Sequence, residues 1–190
     1  MELRQYIRII YDNKRLFWGA VLVTVLATFL FFILRPVSYD ASLTLNISRK
    51  GNQETPDYKF DDYYRLQADE KFAETIVEWM KSPRIVANIF TESGINPNQF
   101  TLNQLTKSFK VEKRSSQVVS INFNSKDEKI SRRISDSIIA VLSLSTEDLN
   151  KNQKENTWFE INPQQAVVLK KSFNPLLVLA VSVIIGIFIG

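Results

Sequence analysis

The chain has 190 residues, 45% of them hydrophobic, with Lys+Arg 24 against Asp+Glu 20, a net charge of +4, no Cys and no His. That composition excludes a disulfide framework, thiolate chemistry, the usual zinc site and the usual Ser-His or Cys-His nucleophile systems. A carboxylate-only site for magnesium or sugar chemistry is left open.

Residues 1–15 carry Arg4, Arg8, Lys14 and Arg15, and the next 19 residues, 16–34, have no charge. At about 1.5 Å per residue this run is roughly 28 Å long as a helix, close to a bilayer's hydrocarbon core. No small-x-small cleavage pattern precedes Arg35-Pro36, so the run reads as a retained span rather than a signal peptide. The basic residues before it predict a cytoplasmic N-terminal segment.

Tyr39 to Ser48 alternates, with Ala41, Leu43, Leu45 and Ile47 on one face and Ser42, Thr44, Asn46 and Ser48 on the other, the pattern of a half-buried strand. Asn46-Ile47-Ser48 is also a sequon, but the strand reading outweighs it. Residues 51–57 are polar with one Pro and read as a loop. Helical spacing follows over 60–81, where Ala68, Phe72, Ile76, Trp79 and Met80 form an apolar stripe. Its neighbours Asp69, Glu70, Glu74 and Glu78 read as a solvated face rather than a metal site. Tyr58, Phe60, Tyr63 and Tyr64 read as core or interface packing before sugar stacking.

Ser82-Pro83 predicts a new helix, with Ser as N-cap and Pro at the first position, and Gly94 suits its C-terminal cap. Thr101 and Gln104 make a capping box for a short helix to about Ser108. Residues 109–112 and 118–124 predict a hairpin turning at Ser115-Ser116, with Val119, Ile121 and Phe123 on one face. Ser125 and Glu128 then predict a capping box for a long helix to Asn150, with Ile130, Ile134, Ile138, Val141 or Leu142, and Leu149 along its apolar stripe. Residues 158–161 and 166–170 predict two short strands. A second uncharged run of 19 residues, 172–190, predicts a second span. Because it stops inside apolar sequence, the chain is expected to continue beyond Gly190.

Residues 35–171 hold 20 basic and 18 acidic residues, a balance too even to argue for nucleic acid. Long loops translocate largely regardless of charge, which places this segment outside the cytoplasm. The strands next to the two spans are expected to pair in one sheet. The predicted fold is an α/β (α+β) extracytoplasmic domain with a small mixed sheet, over 35–171, flanked by transmembrane helices 16–34 and 172–190. Helix packing in lipid favours small residues, which singles out Ala20, Thr24 and Thr28 on the first span and the GxxxG pair Gly186 and Gly190 on the second.

In that order, the segments resemble a known family. ELRQYIRIIYDNKRLF before the first span, PVSYDASLTLNIS after it, MKSPRIVANIFTESGI, FTLNQLTKSFKVEK and SQVVSINFNSKDEKISRRISDSIIAVL are together similar to the chain-length determinant (Wzz-type) polysaccharide co-polymerases. Two features depart from the usual pattern. Of the regularly spaced prolines that precede the family's second span, only Pro163 and Pro175 stand here. The long helical hairpin of many members is absent, which places the chain nearer the compact form of capsule and exopolysaccharide systems.

The resemblance implies a non-enzymatic inner-membrane protein that regulates the chain length of a lipid-linked glycan (O-antigen, capsule or exopolysaccharide). It implies a homo-oligomer working with a polysaccharide polymerase and, in some systems, a cytoplasmic tyrosine kinase. No cofactor and no catalytic or metal residue is expected. The residues themselves leave one rival class standing, a two-span receptor whose outer domain senses a ligand.

Overall fold

A computed structural model of the chain describes residues 13–34, 36–50, 61–151, 158–172 and 174–189. They form two units, residues 38–170 and a helical unit contributed by both ends of the chain.

The larger unit is a helical layer on one face of a sheet. β1 (Tyr39–Lys50) is its centre. β3 (Val118–Ser125) pairs with one edge of β1, with Leu43 opposite Ile121 and Ala41 opposite Phe123. β2 (Lys110–Ser115) is hairpinned onto β3, with an irregularity between Lys113 and Ser115. The other edge of β1 is shared end to end by β4 (Trp158–Pro163) and β5 (Val167–Lys170). Across the gap between them, Gln164 N–H donates to Thr44 O at 2.9 Å, so the ladder is nearly continuous. Every pairing is antiparallel, which corrects the expected mixed sheet. The reason is geometric: β3, β4 and β5 all run against β1 and β2 runs against β3, so no two neighbouring strands are parallel. The expected pairing of first and last strands is present, with Tyr39 opposite Lys170.

Among the described residues, four α-helices complete this unit: α2 (Asp61–Lys81), α3 (Pro83–Glu92), α4 (Leu102–Thr106) and α5 (Glu128–Lys151). The alternating strand residues Ala41, Leu43, Leu45, Ile47, Val119, Ile121 and Phe123 form one core with Phe72, Ile76, Met80, Ile89, Ile134, Ile138 and Leu142. Both stripes read from the sequence therefore face each other.

The helix ends are set by local chemistry. Ser82 occupies the N-cap of α3 with Pro83 after it, but its side chain makes no capping bond. Gly94 has φ 78°, Ile95 N–H donates to Phe90 O at 2.8 Å and Gly94 N–H to Thr91 O at 3.0 Å, a Schellman closure of that helix. The Thr101–Gln104 capping box is present, at 2.8 and 3.3 Å. At α5 the expected box is corrected. Ser125 ends β3, and the Asp127 carboxylate accepts the Lys129 N–H at 2.7 Å, while Glu128 turns to Arg132 at 2.9 Å. At the other end of α5, the Asn150 amide donates to Phe159 O at 2.9 Å and accepts from Phe159 N–H at 3.1 Å. It thus satisfies β4 backbone on the side away from β1, which β1 cannot reach.

The helical unit contains α1 (Lys14–Leu34) and α6 (Pro175–Ile189). α1 is long and apolar enough to cross a membrane. α6 is apolar but has 15 residues, about 22 Å, against the 19-residue span expected at 172–190. Its start is fixed by Asn174, whose side chain accepts the Leu176 N–H at 3.0 Å, and by Pro175 at the first helical position.

Candidate functional site

Each unit contains groups of the kind that could carry function. In the helical unit, α1 and α6 pack on each other. Ala20, Thr24 and Thr28 lie half-buried along α1, beside buried Val21. Thr24 Oγ1 donates to Ala20 O at 2.9 Å and Thr28 Oγ1 to Thr24 O at 2.8 Å, so neither hydroxyl is left unsatisfied in apolar surroundings. Gly186 is buried against α1, and a Cβ there would stand 3.2 Å from Val21 Cα. The backbones approach because that Cβ is missing. Gly190 lies outside the described residues. The partner at small-xxx-small spacing is instead Ser182, buried one turn earlier, with Oγ donating to Val178 O at 2.7 Å. Sequence reasoning missed Ser182 although its four-residue step to Gly186 was legible; a glycine pair outcompeted a serine.

The two prolines singled out lie apart. Pro163 ends β4 opposite Leu45, while Pro175 opens α6. They are a strand terminator and a helix initiator rather than parts of one Pro-rich segment.

In the α+β unit Asp69, Glu70, Glu74 and Glu78 of α2 are committed to ion pairs. Asp69 is not on a solvated face: its side chain is 6% exposed and accepts from Arg49 Nε at 2.8 Å and from Gln117 Nε2 at 2.9 Å. The Arg49 guanidinium also lies 4.7 Å from the centre of the Phe159 ring, which stacks on Phe72 at 4.2 Å. Lys113 is on the same side of β2 as Val111, the side facing the helices, and its Nζ bonds Glu70 at 2.7 Å and Glu74 at 2.9 Å. Lys71 also reaches Glu74, at 3.0 Å. Hydrogen bonds from Lys113 first and Lys71 second hold the Glu74 carboxyl below its ordinary value. The hydrogen bonds that Lys113 donates to Glu70 and Glu74 push its ammonium up. Glu112, beside Lys110 and Arg114, is likewise lowered.

Asp69 ties α2 to β1, and Glu70 and Glu74 tie it to β2. Among the described residues no group of three or more Asp or Glu could hold a metal ion. Tyr63 and Tyr64 touch edge to face at 5.9 Å and are both exposed, so they are not core; Tyr58 and Phe60 lie outside the described residues. A cleft of about 410 Å³ follows the C-terminal turns of α5, lined by Thr146, Glu147, Asn150 and Glu160. A second, of about 520 Å³, runs past Phe100, Gln104, Asn124 and Lys126.

An α+β domain preceded by an N-terminal apolar helix of membrane-crossing length defines the class. Residues 1–93 match the Wzz family, described as chain length determinant protein. Over that stretch, which includes α1, β1, α2 and α3, the chain is similar to the Wzz-type family, which supports the resemblance read from the sequence. No curated relative matches the chain.

Proposed function

We propose that this protein is a membrane co-polymerase that regulates the chain length of a lipid-linked surface polysaccharide and performs no chemistry of its own. The observation that carries the reading is the Wzz match over residues 1–93, which includes the membrane-length helix and the central strand. The commitment of Asp69, Glu70 and Glu74 to Arg49 and Lys113 supports it, because groups held as ion-pair anchors are poorly disposed to shuttle protons.

In this reading α1 and α6 both span the inner membrane, the N-terminus is cytoplasmic and residues 38–170 stand outside. The protein assembles as a homo-oligomer beside a polysaccharide polymerase, and in systems that possess one, a cytoplasmic tyrosine kinase is a further partner. Control of length then arises from a surface spread over many contacts rather than from one or two reacting groups.

Deletion of the protein should leave glycan synthesis running, with an altered length distribution on gels. Glu70→Gln, Glu74→Gln and Glu78→Gln should each keep the distribution near wild type. Loss of regulation from one of these changes, with fold and oligomer size intact, would refute a non-enzymatic role. Asp69 is unsuitable for this comparison, because its substitution disturbs the fold.

A further inference from the structure

The uncovered face of the sheet is polar over most of its described area. Ser42, Thr44, Asn46 and Ser48 of β1 lie beside Ser120, Asn122 and Asn124 of β3 there, and half-buried Val118 stands next to Asn46 at the far end. β5 departs from this pattern. Val167, opposite Ser42, is 56% exposed, and Leu169, opposite Asp40, is 65% exposed. Val168 between them points the other way and packs on the core. Two exposed branched aliphatics on a four-residue strand are an aggregation liability in water unless something covers them.

Position along the chain indicates what covers them. Tyr39 and Lys170 are cross-strand partners. Four residues lie between Leu34 of α1 and Tyr39, and four between Lys170 and Pro175 of α6, five steps along the chain in each case. Each connector reaches at most about 18 Å, so two spanning helices would tether this corner of the sheet to the membrane surface from both sides. Lys170 and Lys171 are exposed beside the patch, and cations next to an apolar surface favour anionic headgroups. Asp40, across from Leu169, is the acid of this corner and forms part of the same surface.

We propose that Val167 and Leu169 are a lipid-docking patch that seats the sheet's membrane-proximal corner in the headgroup layer of an anionic bilayer. The proposal rests on the reading of α6 as a span.

The absence of cysteine makes the test direct. Val167→Cys and Leu169→Cys in the full chain would be labelled with an environment-sensitive NBD fluorophore and reconstituted in phosphatidylcholine–phosphatidylglycerol vesicles. Leu144→Cys, exposed on α5, serves as the aqueous reference, and Phe29→Cys and Leu179→Cys as references for the two helices. Labels at 167 and 169 should emit at shorter wavelength than the label at 144 and be quenched by lipids carrying a headgroup-level nitroxide. Water-like emission at 167 and 169, with 29 and 179 in hydrocarbon, would overturn the patch and leave the spans standing. A blue shift without lipid quenching would mean a protein surface covers it, which also overturns the proposal. Water-like emission at 179 would remove the second span and the proposal together.

Discussion

Arg49 and Asp69 share a buried bond of 2.8 Å, and its value lies in being complete. Arg49→Met would leave the Asp69 carboxylate buried with the Gln117 amide still donating to it but its cation gone, a loss of about 3 kcal/mol, as for other broken buried pairs. The double change Arg49→Met with Asp69→Leu should recover most of it, because two well-packed apolar groups carry no desolvation cost; equilibrium urea unfolding measures both. The Glu74–Lys113 pair responds instead to pH. Glu74 titrates below its ordinary value when folded, so its contribution is present above that value and is lost as pH falls through the lowered one. Lys113 is raised, so its contribution holds below its ordinary value and is lost as pH rises through the higher one. Wild type and Glu74→Gln should differ most in stability near neutral pH and converge as pH falls through the lowered Glu74 value, read from unfolding midpoints across a pH series.

Among the elements, α5 carries the largest share of the helix–sheet interface. Ile134 is buried against the sheet while Arg133, its neighbour in sequence, is exposed. Ile134→Ala should cost about 2–5 kcal/mol of unfolding free energy, and Arg133→Ala should stay within about 0.5 kcal/mol. The α1–α6 pair is decided by a missing Cβ rather than by added apolar area, since lipid solvates apolar side chains as well as a neighbouring helix does. Gly186→Leu should separate the helices at Val21, whereas Ile187→Leu, at an exposed position, should not. Spin labels at Phe31→Cys and Leu176→Cys would report this as a broadened distance distribution for the first variant alone.

At the scale of the whole molecule, the proposed topology makes a sharp prediction. A single cysteine at exposed Asn103 should react with an impermeant reagent in intact cells, and one at Gln5 only after permeabilisation. Labelling of Asn103→Cys only after lysis would place the domain on the cytoplasmic side. A chain held in the membrane by both spans should also remain in the membrane fraction after high-salt and alkaline washing.

Much of this architecture is written in spacings that any solvent would sort. The period-two run of β1, the apolar stripes of α2 and α5, the Thr101–Gln104 box and Gly94 were legible because each depends on neighbours within a few residues. Partners distant in sequence were not legible. Nothing near Asp69 announces that Arg49, 20 residues earlier, and Gln117, 48 later, would enclose it, so it read as one more solvated acid. The start of α5 turned on whether Ser125 still belonged to the strand, which the ladder with Tyr39 settled. Asn150 was passed over for the same reason, since a clamp on a strand edge exists only once the other element has arrived. Sequence by itself determined the elements and their buried faces, because those follow from local periodicity and the cost of exposing apolar surface. Tertiary structure decided the sheet's direction, the fate of each carboxylate and the residue on which the helices meet, because these are set by distances that close only when the chain folds.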